Sequence, residues 1–192
     1  MTMRLHLLCS ASTASVSAVA FASADEPLDP RGKESLAGFS SRFRACDILL
    51  CSPALCARQT ADGLIPAATV EPLLRDCDFG RWAGRSLTDV EANEPEAVAD
   101  WLGNPRAAPH GGESFADVTR RVGGWMDQML IKSGSVLAIT HALVIRAAIA
   151  HVVGAGPEAF RHIDVGPLTR ARLSGGGGRW TLGSLIPVQD AR

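Results

Sequence analysis

Ser135-Val136-Leu137-Ala138-Ile139-Thr140 is followed by His141 and then by an apolar run, Leu143 to Val153. Six residues with an unbroken apolar centre are too short for a buried helix and suit a strand covered on both faces. The run that follows has the length and composition of an apolar helix. A strand that passes through one polar residue into a helix is a unit of an α/β sheet. In such sheets ligands bind at the carboxyl ends of the strands, which is where His141 stands.

Outward from this unit the same grammar recurs. Arg4 to Cys9 reads as a buried strand that stops at small polar residues, so Cys9-Ser10 is a second polar strand end. Asp47 to Cys51 reads as another buried strand, Thr69 to Glu71 as a short one, and Ile163–Leu173 and Arg179–Leu185 as two closing strands joined by a turn over Gly175–Gly178. Pro27 to Gly32 is turn chemistry. Helices are predicted over Lys33–Phe43, with Leu36, Phe39 and Phe43 on one face, from Pro53 onward, over Ser86–Leu102, and from Ser114 to about Ile131. Ser114 is a good N-cap with Asp117 three residues on. Val118, Val122, Trp125 and Met129 recur at helical spacing. The expectation is a single α/β domain over residues 1–192, a mostly parallel sheet flanked by helices on both faces.

Composition narrows the function. The chain has 192 residues, 46% hydrophobic and 20% charged, with a formal net charge of −1. No basic run calls for nucleic acid or an anionic membrane surface, and no stretch approaches the length of a membrane span. Five cysteines (Cys9, Cys46, Cys51, Cys56 and Cys77) fall at irregular spacing with no CxxC pair, which is a poor disulfide framework and points to a reduced, cytoplasmic setting. The rival reading is export. Met1–Arg4 is basic, Leu5–Phe21 is uncharged, and Ala22-Ser23-Ala24 has the form of a signal-peptidase site, so residues 1–24 are signal-like.

Six segments, in order, resemble one family. MRLHLLCSAST (Met3–Thr13) resembles the opening strand of the histidine phosphatases, the phosphoglycerate mutase-like superfamily, which typically ends in Arg-His-Gly-Glu-Thr. EPLDPRGKE, CSPALCARQTA (Cys51–Ala61), LLRDCDFGRWAGRSL, PHGGESFADVTRRV and ITHALVIRAAIAHVVG resemble the later segments. The resemblance implies a fold of that type and transfer or hydrolysis of a small phosphomonoester. A phosphoryl group is held between two histidines and two arginines, one histidine becomes phosphohistidine, and a carboxylic acid protonates the leaving alcohol. No metal or other cofactor is implied. The implied partner is a small phosphorylated metabolite or other small anion.

Matched residue by residue, the departures fall in the site. Ser10 stands at the nucleophilic histidine, Cys9 and Cys56 at the two arginines, and Asp76 at the acid/base glutamate. His141 is the second histidine. Thr13, Arg58 and Glu113 complete the substrate-side positions; Arg58 lies where the family often carries an arginine without catalytic use. An arginine offers phosphate a fork of five donors, whereas a thiol offers one weak donor. The implied activity is therefore weak or absent by the family mechanism. Two alternatives remain. One is a remodelled phosphatase using His141 and Asp76 with Ser10. The other is a metal- or redox-responsive binding protein using Cys9, Cys56 and His141, a set that suits a thiophilic divalent ion or, for the cysteine pair, a labile disulfide. His110, in the PHGGES loop, is expected to be solvated.

Overall fold

Burial on both faces gives the sheet its centre. The computed structural model describes residues 2–37, 46–64 and 67–187. Strand β1 (Met3–Cys9) pairs in parallel with β4 (Gly134–Thr140), and the carboxyl-terminal halves of both are buried. Strand β2 (Ile48–Cys51) pairs in parallel with β4 on its other side, and the two-residue β3 (Thr69–Val70) closes that edge. Strands β5 (Arg170–Gly176) and β6 (Arg179–Ile186) add an antiparallel hairpin beyond β1. The order is β3-β2-β4-β1-β5-β6, six strands and mostly parallel.

Alternation along the strands sends side chains to two separate cores. Leu5, Leu7, Val136 and Ala138 join the larger one. It is roofed by α6 (Phe115–Met129) and α7 (Ala142–Val153), through Val118, Val122, Trp125, Val144 and Ile145. Leu8, Leu137 and Ile139 face the other way. There they meet Leu36 of α2 (Pro30–Ala37) and Ala57 and Ala61 of α3 (Leu55–Leu64). Burying a Leu or Ile side chain contributes roughly 1.5–3 kcal/mol, so both faces hold this register; a slip of one residue would exchange the two sets.

Several expectations shift on inspection. The turn read at Pro27–Gly32 already contains the first turn of α2. Pro30 lacks only an N–H that a helix start leaves unpaired, and the Asp29 carboxylate accepts from the Gly32 amide at 2.6 Å. Of the hydrophobic face assigned to this helix, Leu36 is buried, whereas Phe39 and Phe43 lie outside the described residues. The helix read over Ser86–Leu102 is two, α4 (Leu87–Asn93) and α5 (Pro95–Gly103), because Pro95 has no N–H to continue the first and Glu94 leaves helical geometry. The strand read from Ile163 begins at Arg170. A short α1 (Ala14–Ala18) also follows β1 where only a loop was expected. The glycine turn narrows to Gly177-Gly178, both at positive φ, the left-handed pair that a two-residue hairpin requires. The signal-like segment holds β1 and α1, so cleavage after Ala24 would remove the strand together with Cys9 and Ser10. Among the described residues no helix is long and apolar enough to cross a membrane.

The N-terminus of α6 has a complete capping box. The Ser114 hydroxyl accepts from the Asp117 amide at 3.2 Å, and the Asp117 carboxylate accepts from the Ser114 amide at 3.1 Å. Ser114→Ala should cost about 1–2 kcal/mol, read as a lower urea midpoint with an unchanged slope. A midpoint equal to that of the parent would show that the box contributes nothing.

Candidate functional site

The parallel ladder carries on past the strand ends. The Ser10 amide donates to the Thr140 carbonyl at 2.8 Å, and the Ser52 amide donates to the Ile139 carbonyl at 2.8 Å. Three strand ends therefore deliver Cys9-Ser10, Ser52 and His141 to one place. A cavity of about 830 Å³ opens there, and Cys9, Ser10, Thr13, Cys56, Asp76 and His141 all line it. Arg58 and Glu113 do not: Arg58 points to solvent from α3.

Glu113 has a different role from the substrate-side one expected of it. Both its oxygens accept from Arg121, at 2.8 and 2.9 Å, and one also accepts from Arg75 at 2.8 Å. Arg121 in turn donates to the carbonyls of Leu73, Arg75 and Asp76. This part-buried ion pair fixes the segment that carries Asp76 into the cavity. No feature of the sequence marked Arg121, one of two adjacent arginines on a helix, as the inward one.

His141 sits at the N-cap of α7, only 6% exposed. Its Nε2 lies 2.7 Å from the Ser52 hydroxyl, and its Nδ1 lies 3.7 Å from the Asp76 carboxylate. The Ser52 hydroxyl oxygen accepts from the Ala54 amide at 3.2 Å. Ser52 is fully buried, so its own proton needs an acceptor, and among the described residues that acceptor is His141 Nε2. The imidazole proton then resides on Nδ1, toward Asp76 and the cavity. Burial is the main cause that holds the His141 pKa below its ordinary value, opposed by Asp76 and reinforced by Arg121. His141 is thus neutral, with its lone pair already engaged. Ser52 was missed in the sequence, although it follows a buried strand directly, the same signal that marked Ser10 and His141.

The thiols are neutral too. Burial pushes Cys56 up to about 11, against a lowering contact from the Ser10 hydroxyl. Burial pushes Cys9 higher still, helped by Asp76 and Cys56 and offset in part by Arg146 and Ser10. Among the described residues no disulfide joins any of the five cysteines. Among the described residues no group of three or more His, Cys, Asp or Glu side chains is placed to hold a metal ion. The metal set of Cys9, Cys56 and His141 is therefore corrected: the three share a cavity without forming such a group. His110 is corrected as well. It is 2% exposed, packed edge-on against Phe79 and Trp82, and its Nδ1 accepts from the Gly112 amide.

Beside His110 two loops lock backbone to backbone. The Arg81 amide donates to the His110 carbonyl and the Glu113 amide to the Asp78 carbonyl. A Cβ on Gly112 would lie 2.0 Å from the Asp78 oxygen, and one on Gly80 would lie 2.2 Å from the His110 oxygen. Only glycine fits at either position. The locked pair sets Asp78 and Phe79 as one wall of the cavity.

A family model described as histidine phosphatase superfamily (branch 1) matches residues 7–186. A bifunctional protein of Mycobacterium tuberculosis is 28% identical over 145 residues, 71% of this chain and 40% of that protein. The chain thus spans well under half the length of the curated relatives it matches first. Phosphoserine phosphatase 1 of Hydrogenobacter thermophilus is 28% identical over 146 residues, 71% of this chain and 69% of that one. Among solved structures, a phosphoserine phosphatase from Entamoeba histolytica in complex with phosphoserine superposes with a TM-score of 0.84 at 16% identity, covering 95% of this chain and 96% of that one. At that identity it shares the fold.

The depressed His141 pKa fixes a sign for stability. The unfolded chain takes up a proton near 6.5 while folded His141 does not, so stability falls as pH drops through that value. The loss is at most about 1.4 kcal/mol per pH unit per histidine. His6 and His110 are lowered in the same direction. Between pH 7.5 and 5.5 the melting temperature should therefore fall, and His141→Gln should make that fall shallower without abolishing it. Equal slopes in parent and variant would place the effect elsewhere.

Proposed function

The chain belongs to the histidine phosphatase superfamily, branch 1, and from that premise we propose that it is a member whose phosphate-handling site has been dismantled. It keeps the family's cavity for binding and runs the phosphohistidine reaction weakly or not at all. One observation supports this reading: Cys9, Ser10 and Cys56, which the resemblance matches to one histidine and two arginines, line the cavity, with both thiols held neutral by burial. A phosphate dianion needs charged or clustered donors. Among the described residues Arg75 is the single Lys or Arg on the lining, and its guanidinium is tied to Glu113.

The relatives named as phosphoserine phosphatases make a small phosphomonoester the first ligand to try. The remodelled-phosphatase reading would have Ser10 attack phosphorus with His141 as base and Asp76 as acid. It asks for a free imidazole lone pair facing Ser10, whereas the Nε2 lone pair receives the Ser52 proton. That weighs against it. A single-domain, cytoplasmic protein without cofactor remains part of the proposal. So does a redox response at Cys9 and Cys56, a weaker alternative because neutral thiols attack slowly.

The test is phosphate release from p-nitrophenyl phosphate across pH 4–9, in the parent and in His141→Ala. Equal rates in the two are expected; release that depends on His141 would overturn the reading. The triple variant Cys9→Arg, Ser10→His, Cys56→Arg should restore release at least about tenfold above the parent, given that one lost charged contact alone costs about 10²–10³ in rate. A folded triple variant that stays inactive would count against these three positions as the cause.

A further inference from the structure

The cavity's charge is inverted relative to what a phosphate needs. Five carboxylates line it: Asp25, Glu26, Asp76, Asp78 and Asp164. Among the described residues none of the five is paired with a lysine or arginine. Glu26 is bound by the Ser15 amide and hydroxyl, Asp76 by the Cys77 amide and Asp78 by the Gly80 amide, all neutral donors that leave the charge in place. Asp25 and Asp164 stand exposed at the rim. Against them stand Arg75, which shares the one Glu113 carboxylate with Arg121, Arg146, whose charge reaches Cys9, and the N-terminal end of α7, worth roughly half a positive charge. His141 adds none, being neutral.

The walls are apolar. Ala22, Ala54, Phe79, Ala83, Leu143 and Val165 face the space. A cavity of about 830 Å³ takes a whole small organic molecule. Its floor also offers a directed contact: His141 is more than nine-tenths buried, and among the described residues no hydrogen bond reaches its Nδ1. The carboxylates are spread around the space and do not meet at a point, so they suit a diffuse organic charge better than a metal ion.

We propose that this cavity binds a small organic cation, an ammonium group carried on an apolar body, in preference to a phosphorylated anion. The proposal rests on the reading of a dismantled phosphate site and names the ligand class of that same site. The ammonium lies among the carboxylates, the apolar body against the alanine and phenylalanine walls, and a hydroxyl or carbonyl on the ligand would meet the His141 Nδ1 proton.

The experiment uses one apolar body with three charges: benzylamine, benzyl alcohol and benzyl phosphate. Each is titrated into the full chain at pH 7 and low salt, followed by thermal shift and calorimetry. The amine is expected to bind at least about tenfold more tightly than the phosphate, with the alcohol between them. The preference should shrink in high salt, because the rim charges are screened. It should also shrink in Asp25→Asn with Asp164→Asn, two exposed residues whose side chains have no ion-pair partner among the described residues. Benzyl phosphate binding as tightly as the amine, or no binding by any of the three, would overturn the inference. So would a preference unchanged in the double variant, since it would remove the rim carboxylates from the explanation. Phosphate release from benzyl phosphate in the same samples is a separate signal: if it depends on His141, the dismantled-site reading itself is lost.

Discussion

The site depends on one pairing. Strands β1 and β4 run parallel and end level, with Cys9 opposite Thr140. The ladder then continues into the first residue of the loop, through the bond from the Ser10 amide to the Thr140 carbonyl. Backbone groups in a sheet centre cannot turn to water, so each finds its partner across the ladder. The register is held on both faces by the two cores, and the level ending follows from it. A loop residue that owes its position to a main-chain bond keeps that position whatever its side chain. That is how Ser10 and Cys9 reach the cavity in a chain whose polar chemistry there differs from the family pattern.

Fold and cavity chemistry are separable for a second reason. The residues that brace the cavity are distinct from those that face it. The Arg121–Glu113 pair holds three carbonyls of the segment carrying Asp76, and both partners lie off the lining. Thr60 does similar work on the other side, accepting from the Ala11 amide and donating to the Cys56 carbonyl. Side chains at Cys9 and Cys56 carry none of this framework. Small neutral groups there leave the neighbouring backbone satisfied and bring no unpaired charge into a buried space.

Much of this was legible in the sequence because strand and helix periods are written in side-chain type. Leu5, Leu7 and Leu8 mark β1, Val136–Ile139 marks β4, and Ser114 with Asp117 marks the start of α6. Strand-end logic picked out Ser10 and His141, and the family pattern placed Cys56 and Asp76 beside them in the same cavity. What escaped was set by tertiary geometry. Glu113 reads as a loop carboxylate until Arg121 arrives from a helix turned toward it. His110 reads as a solvated loop residue until Phe79 and Trp82 close over it. The acidic lining is drawn from three separate stretches of chain, Asp25–Glu26, Asp76–Asp78 and Asp164, and no local pattern unites them.

The interlocked loops give the cavity a set width. Along Asp78 and Phe79 its outline is fixed by peptide planes in contact, with no side chain at Gly80 or Gly112 to rotate out of the way. The facing stretch around Ala20–Glu26 is tied main chain to main chain as well: the Phe21 amide donates to the Arg85 carbonyl, the Gly84 amide to the Phe21 carbonyl and the Leu55 amide to the Ala24 carbonyl. A guest therefore meets backbone-braced walls on both flanks, and its thickness is judged against them.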